Sequence, residues 1–196
     1  MNIALTYNLK KEDSSKPPDY FSEYDSHDTV EAIAGALRGR GHIVKSVDAG
    51  QVSLVNFFQE NRFDMVFNIA EGVKAKSRES EIPALLDCFD IPYTGSNSFS
   101  LALALNKAMT KKILLAEGIP TPKFQVFETG TEILSPDLKF PLIVKPNREG
   151  SAKGISRDNV VHTEAALRAK AAELRKLYRQ EVLVEEFIEG KELTVG

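Results

Sequence analysis

The chain has 196 residues, and 42% of them are hydrophobic, a fraction that supports a folded core and excludes a disordered composition. The formal net charge of −3 gives no reason to expect nucleic-acid binding. No apolar run nears the roughly 20 residues of a membrane helix and the first residues show no signal peptide, so we expect a cytoplasmic protein that binds no membrane.

The first half of the chain alternates short apolar runs with amphipathic ones. Strands are predicted at residues 3–7, 42–48, 65–70 and 91–96, and helices after Asp28, at residues 52–61 and at residues 80–89. Asp28 and Glu31 have the spacing of a capping box, and Cys88, the only cysteine, is predicted to be buried. This alternation favours a parallel sheet with helices on both faces. Ligands of such sheets bind beyond the carboxyl ends of the strands, where the polar segments 8–28 and 68–81 would lie.

The second half has a different pattern. One long helix is predicted to begin near Ser98 and to end at Gly118 and Pro120. Strands are predicted at residues 123–129, 141–146, 159–163 and 181–189, with one helix at residues 163–178. This order indicates an α+β unit with a mostly antiparallel sheet, and we place the domain boundary so that the domains are residues 1–97 and 98–196.

The stretch "FPLIVKPNREGSAKGIS" ends an apolar strand on a charged residue, Lys145. A buried ammonium group is costly unless an anionic group meets it. The loop that follows contains Gly150, Ser151 and Gly154, and glycines allow a close backbone approach to a ligand. These features predict a phosphate-binding loop, although the sequence is neither a P-loop nor a G-x-G-x-x-G motif. The alternative is a surface turn whose charges point to water.

A second stretch, "VLVEEFIEGKE", ends a strand in Glu185 and Glu186 and continues with Phe187 and Ile188. Carboxylates accept hydrogen bonds from amino and hydroxyl groups, and an apolar pair can hold a flat base. An exposed acidic turn explains the same residues equally well. In "LNKAMTKKIL", Lys107 lies early in the long helix, and the other lysines of this run are predicted to be a solvated helix face.

Three segments in this order resemble the ATP-grasp superfamily, and within it the D-alanine–D-alanine ligase family and its uncharacterised relatives. They are "IPYTGSNSFSLALALNKAMTKKILLAEGIPTPKF", "PLIVKPNREGSAKGIS" and "EVLVEEFIEGKELTVG". The resemblance implies an α/β fold class: a Rossmann-like pre-ATP-grasp domain with a parallel sheet, followed by the α+β first subdomain, or lid, of an ATP-grasp fold. It is strong over residues 91–196 and weak over residues 1–90.

The resemblance implies ATP and Mg²⁺ as cofactors. Lys107 and Lys145 match the two lysines that bind phosphates, and Glu185 matches the residue that receives the adenine amino group. The backbone at residues 187–188 matches the hinge beside the base, and Glu192 matches the ribose carboxylate. The full set of predicted ATP contacts is Lys107, Lys145, Glu149, Gly150, Ser151, Glu185, Glu186, Phe187, Ile188 and Glu192.

The resemblance also implies a reaction: a carboxylate is phosphorylated by ATP, and an amine attacks the acyl phosphate to form an amide, as in peptidoglycan synthesis. The substrates would be small molecules, such as amino acids, and a homodimer is possible. The family usually carries His-Gly and Gly-Glu-Asp after the third strand, whereas this chain reads "NIAEGVKAKSRES". Glu23 and Arg78 are weak candidates for the substrate site, and a solvated surface position explains Arg78 as well.

Magnesium ligands in this family lie beyond the ribose carboxylate, so no metal ligand is predicted within these 196 residues. We therefore expect that the chain does not catalyse ligation by itself. Two other readings stay open: a non-catalytic nucleotide-binding module, and an ATP-grasp ligase for a different carboxylate and amine.

Overall fold

The computed structural model describes residues 1–73 and 76–193. The chain forms two compact units, Met1–Leu105 and Asn106–Gly196. The helix that begins at Ser98 therefore belongs to the first unit, whereas the sequence-based boundary assigns it to the second domain. In the described part of the chain, no helix is both long and apolar enough to cross a membrane.

The first unit is built on a parallel sheet. Its elements are β1 (Asn2–Tyr7), α1 (His27–Gly39), β2 (Ile43–Asp48), α2 (Leu54–Glu60), β3 (Met65–Asn68), a 3-10 turn (Arg78–Ser80), α3 (Glu81–Cys88) and α4 (Ser98–Leu105). The strand order is β2-β1-β3, with Ile3 opposite both Val44 and Met65. The parallel sheet predicted from the sequence is confirmed. Residues 91–96 do not form the predicted strand, because within this segment only Tyr93 forms a β-bridge, to Val66.

Helices cover both faces of this sheet. Ala4 and Leu5 are adjacent in β1 and both fully buried, so their side chains point to opposite faces. Leu5 contacts the cluster that contains Val30 and Ala34 of α1. Ala4 contacts a separate cluster with residues of α2 and α3, including Phe58. One strand therefore contributes to two cores, as expected for strands in a parallel sheet.

Two local predictions for this unit are wrong. The N-cap of α1 is Ser26, whose side chain accepts a hydrogen bond from the Thr29 backbone N–H, so the helix begins before the predicted Asp28 cap. Cys88 is exposed, because α3 buries Ile82 and Leu86 on its core-facing side and Cys88 lies off that stripe.

The second unit contains an antiparallel sheet. Its elements are α5 (Lys107–Ala116), β4 (Phe124–Phe127), β5 (Leu142–Pro146), a 3-10 turn (Arg157–Asn159), β6 (Val160–Val161), α6 (Glu164–Tyr178) and β7 (Val182–Glu186). The strand order is β4-β7-β5-β6, and each of these neighbouring pairs is antiparallel. The predicted change from a parallel to an antiparallel sheet is confirmed.

The prediction of a single long helix from Ser98 is wrong, because the helix is interrupted at Asn106 and forms two helices, α4 and α5. Asn106 has extended backbone geometry, and its side chain accepts a hydrogen bond from the Met109 backbone N–H. Asparagine is a favoured N-cap because its side chain satisfies a free N–H of the first turn. The break sets a new helical phase for Lys107 and the lysines that follow.

The two faces of the antiparallel sheet have different roles. Val144 and Val184 point to the core formed with Leu167 and Ala171 of α6. Because side chains alternate along a strand, Lys145 and Glu185 point to the opposite face. Of the predicted site residues in β5 and β7, Lys145 and Glu185 therefore lie on the face that α6 does not cover, whereas Glu186 follows Val184 on the other face.

Candidate functional site

Glu185 provides the anionic partner of Lys145, the charged residue near the end of β5. Ile143 is paired with Glu185 across the antiparallel ladder, so Lys145, two residues further along β5, lies diagonally beside the carboxylate on the same face. The Lys145 ammonium donates a hydrogen bond to Glu185 Oε1. The charge at the end of the buried strand is thus balanced by a carboxylate of the adjacent strand.

A second lysine, Lys111 of α5, contacts the other oxygen of the same carboxylate. Its Nζ lies 2.7 Å from Glu185 Oε2, with the two side chains 9% and 8% exposed. The same ammonium donates to Thr121 Oγ1 at 2.6 Å and lies 5.1 Å from the centre of the Phe124 ring. The prediction that Lys111 belongs to a solvated face is therefore wrong. The sequence contains only a partial signal: Lys107 and Lys111 are four residues apart and so share a helix face, but this spacing does not show what the face contacts.

Lys107 begins α5 and reaches the glycine-containing loop, where its ammonium donates to the backbone oxygen of Glu149. The Glu149 side chain forms an ion pair with Lys153 at 2.7 Å and accepts a hydrogen bond from Gln180 at 2.7 Å. Lys153 is only 6% exposed, so it points inward to Glu149. These contacts hold the loop next to the first turn of α5.

The loop itself has an unusual backbone. Ser151 and Ala152 both have positive φ angles, 45° and 56°, although neither is glycine. The Lys153 N–H donates to the Gly150 oxygen at 2.9 Å, which closes a tight turn. Consecutive N–H groups in such left-handed turns can form a concave anion-binding surface. The local geometry therefore fits the phosphate-binding loop predicted from the sequence.

Asn147 joins the strand that carries Lys145 to the helix that carries Lys107, and sequence reasoning missed it. Its backbone oxygen accepts from the Lys107 N–H at 3.0 Å, and its side-chain oxygen accepts from the Ala108 N–H at 2.9 Å. Its side-chain nitrogen donates to Asn106 at 2.9 Å. The side chain is buried, so these bonds are protected from water. The two predicted phosphate lysines are therefore held in one hydrogen-bonded framework.

The remaining predicted ATP contacts lie at and beyond the end of β7. Glu186 accepts a hydrogen bond from the Lys139 backbone N–H at 3.0 Å. Phe187 is 37% and Ile188 is 67% exposed, and Glu192 is also exposed. Their contact with a base and a ribose stays a prediction, and the end of the matching segment, residues 194–196, is outside the described residues.

In the first unit, the structure brings together the two weak substrate-site candidates. Arg78 donates two hydrogen bonds to Glu23, at 3.0 Å and 2.7 Å. The side chains are 10% and 2% exposed, so this is a buried ion pair in which Nη2 of Arg78 contacts both carboxylate oxygens of Glu23. Whether either residue contacts a substrate stays a prediction. Residues 74 and 75 of the same polar segment lie outside the described residues.

Two more carboxylates surround this ion pair. Oxygens of Glu23, Glu71 and Glu79 lie within 4.8 Å of one another, and Arg78 is 3.8 Å from Glu79. Burial, followed by the charges of Glu79 and Glu23, raises the pKa of Glu71 to about 7. Burial also raises the pKa of Tyr24 to about 12, and its hydroxyl donates to the Gly72 oxygen at 3.2 Å. The Glu71 carboxyl therefore changes its protonation state near neutral pH.

We expect Glu71→Gln to stabilise the first unit more at about pH 8 than at about pH 5, because the folded state disfavours ionised Glu71. Folding raises the pKa of this carboxyl from 4.5 to about 7, so the free energy of unfolding decreases as the pH rises through that interval. Allowing for its partial exposure, the gain at the higher pH should be about 1 kcal/mol. Urea unfolding at both pH values measures it. Glu60→Gln, on the exposed side of α2, is the control and should show no such pH-dependent gain.

The fold and the residues around Lys145 define a mixed α/β protein with the architecture of the D-alanine–D-alanine ligases. D-Alanine–D-alanine ligase from Bacillus anthracis, in a crystal structure complexed with ATP, aligns with a TM-score of 0.72 at 23% identity, over 97% of this chain and 60% of that one. VanG D-Ala:D-Ser ligase from Enterococcus faecalis aligns with a TM-score of 0.68, over 96% of this chain and 63% of that one. These likenesses confirm the predicted fold class.

Sequence comparison identifies the family. The family model described as "D-ala D-ala ligase C-terminus" matches residues 113–196. D-alanine–D-alanine ligase of Xylella fastidiosa is 39% identical over 170 residues, which cover 84% of this chain and 54% of the relative. The uncharacterized protein y4sG of Sinorhizobium fredii is 33% identical, over 85% of this chain and 51% of the relative. The chain belongs to the D-alanine–D-alanine ligase family of the ATP-grasp superfamily, and it spans about half the length of these curated relatives.

Proposed function

We propose that this chain forms the nucleotide-binding part of an ATP-dependent carboxylate–amine ligase of the D-alanine–D-alanine ligase type, which works through an acyl phosphate. The observation that carries the proposal is the framework around Asn147, which holds the Lys145 strand and the Lys107 helix beside one glycine-containing loop. Family membership and the ATP complex of the Bacillus anthracis relative support the same assignment.

In this proposal, Lys107 and Lys145 bind the phosphates of ATP. Both ammonium groups have oxygen partners within the protein, the Glu149 backbone and the Glu185 side chain. Phosphate oxygens would join or replace these partners, and the charge-assisted bonds would offset the charge of the polyphosphate. The loop at Gly150 and Ser151 would close over the phosphates through its backbone N–H groups.

Bound Mg²⁺ would supply further charge stabilisation to the transferring phosphoryl group. The part of this chain's residues is to bind and orient the nucleotide. Glu185 would accept the adenine amino group, Phe187 and Ile188 would flank the base, and Glu192 would bind the ribose hydroxyls. Such positioning is a large share of catalysis in phosphoryl transfer, because the protein does little covalent chemistry there.

A ligase for a different carboxylate and amine is the second candidate, and the first unit favours it. Three carboxylates lie together there, and the neighbouring Arg78 is committed to Glu23. A site of this charge is less suited to a free carboxylate than to a cationic group. An assay of ADP release with D-alanine, other amino acids and diamines, on the full-length gene product, separates the two candidates. Small-molecule substrates, a homodimer and a cytoplasmic location all stay predictions from the sequence.

We expect Lys145→Ala to weaken ATP binding roughly ten- to hundred-fold, since it removes a charge-assisted contact worth about 1.5–3 kcal/mol. Isothermal titration of the purified chain with ATP measures the effect. Lys176→Ala, an exposed lysine of α6, is the matched control and should bind as the unaltered chain does. Equal affinity of Lys145→Ala and the unaltered chain would contradict the assignment of Lys145. No ATP binding by the unaltered chain would contradict the proposed function.

A further inference from the structure

The carboxylate of Glu185 is held from both sides, although the proposed function uses only one of its two cationic neighbours. Lys145 binds Oε1, and Lys111 binds Oε2 at 2.7 Å. Lys145 is assigned to the phosphates, whereas Lys111 has no assigned role. Because each lysine contacts a different oxygen, the pair restricts rotation of the carboxylate.

We propose that Lys111 is a positioning residue that sets the preference of the site for adenine over guanine nucleotides by fixing Glu185. The inference rests on the proposed nucleotide site and deepens it. Lys111 acts through Glu185 and not by contact with the ligand. Its ammonium is committed to Thr121 and to the face of the Phe124 ring, so it is not directed to a nucleotide phosphate.

The surroundings of Lys111 make it a fixed anchor. Thr121 accepts a hydrogen bond from its ammonium at 2.6 Å, and the Phe124 ring covers the same group at 5.1 Å. Phe124 is itself paired with Glu185 across the β4–β7 ladder, so the sheet places this ring beside the carboxylate that Lys111 contacts. An ammonium with three such neighbours has little freedom to turn away.

The ion pair between Lys111 and Glu185 becomes more important when a nucleotide binds to Lys145. When the phosphates engage Lys145, Glu185 shares that cation with them, and Lys111 remains the cationic partner of Glu185 that does not contact the phosphates. A carboxylate with a side-chain exposure of 8% needs a compensating charge, because an unpaired buried charge is strongly unfavourable. Lys111 therefore allows Lys145 to bind phosphate while Glu185 stays in place.

A fixed carboxylate distinguishes the two purine bases. Adenine presents an amino group, which donates to a carboxylate, whereas guanine presents a carbonyl oxygen at the corresponding position. A carboxylate accepts hydrogen bonds and donates none, so it attracts the first base and repels the second. If Oε2 loses its anchor, Glu185 can turn away, and both the attraction and the repulsion are weakened.

Titration of the full 196-residue chain with ATP and with GTP tests this inference. For Lys111→Met, which keeps the length of the side chain, we expect the ratio of GTP to ATP dissociation constants to fall about ten-fold or more. Lys112→Met changes the next residue of the same helix, which is exposed, and should keep the original ratio. Lys111→Arg restores the charge and should recover part of the ratio.

The outcomes are distinct. A folded Lys111→Met chain with the unaltered ratio would overturn the inference and leave the proposed function standing. An unaltered chain that binds neither nucleotide would overturn both. If Lys111→Met does not fold, Thr121→Val decides, because it removes only the hydroxyl that holds the Lys111 ammonium. We expect Thr121→Val to lower the ratio by about two- to five-fold, and an unchanged ratio would overturn the inference.

Discussion

Gly154→Ala is expected to lower the unfolding free energy of the second unit by about 3 kcal/mol, from backbone strain and overpacking together. Gly154 has a φ angle of 72°, in the left-handed region that side chains disfavour. A Cβ atom there would lie 2.6 Å from Pro146 Cγ and 2.8 Å from Tyr178 Cε2. Both atoms belong to rigid rings, those of Pro146 and Tyr178, which cannot bend away from the new Cβ atom. The loop at residue 154 would therefore have to move.

Gly118→Ala is the matched control. Gly118 has nearly the same φ angle, 71°, but its Cβ would meet nothing within 4 Å. It therefore carries the backbone strain alone, about 1–2 kcal/mol. Urea unfolding of both variants separates the two terms. An equal loss of unfolding free energy in the two variants would show that the close contacts with Pro146 and Tyr178 add nothing to the backbone strain, contrary to the expectation.

Arg78→Met is expected to destabilise the first unit by about 3–5 kcal/mol, because it removes a cationic partner from a buried carboxylate, that of Glu23. The Glu23 side chain is 2% exposed, and Glu71 and Glu79 lie beside it. Loss of the Arg78 guanidinium removes a positive charge from a cluster of three neighbouring carboxyl groups. Chemical denaturation followed by circular dichroism measures the change.

Two further variants show whether the cost arises from the unpaired charge. Arg38→Met breaks an exposed ion pair with Glu31, whose side chains are 47% and 51% exposed, and should cost no more than about 1 kcal/mol. The double variant Arg78→Met with Glu23→Gln removes both charges and should recover part of the stability. A double variant as unstable as the sum of the single variants would indicate that packing, not charge, sets the cost.

Local sequence features predicted one cation of the proposed nucleotide site from the cost of burying a charge, and the structure contains the anionic partner that this argument requires. Lys145 ends an apolar strand, and burying an ammonium group requires an anionic partner. The partner in the structure is Glu185, forty residues later, which sequence reasoning had assigned separately to the base. Their proximity follows from the register of β5 and β7, and register is a property of the folded sheet.

Lys111 and Asn147 show the limit of that reasoning. In the sequence, Lys111 is one of several lysines in a helix, and helical spacing alone does not distinguish a charge that faces water from one that faces a buried carboxylate. Asn147 is a single polar residue after a proline, and its hydrogen bonds to residues near Lys107 join segments about forty residues apart. The hydrophobic periodicity of a sequence does not predict hydrogen bonds between segments so far apart.

The order of residues by itself determined the alternation of strands and helices, the change from a parallel to an antiparallel sheet, and the family of the protein. These depend on local periodicity and on short motifs, which are present in the unfolded chain. Only the tertiary structure decided which charges are neighbours: Arg78 with Glu23, and Lys111 with Glu185. The physical reason is that an ion pair depends on distance and burial, and both arise only when segments far apart in the chain come together.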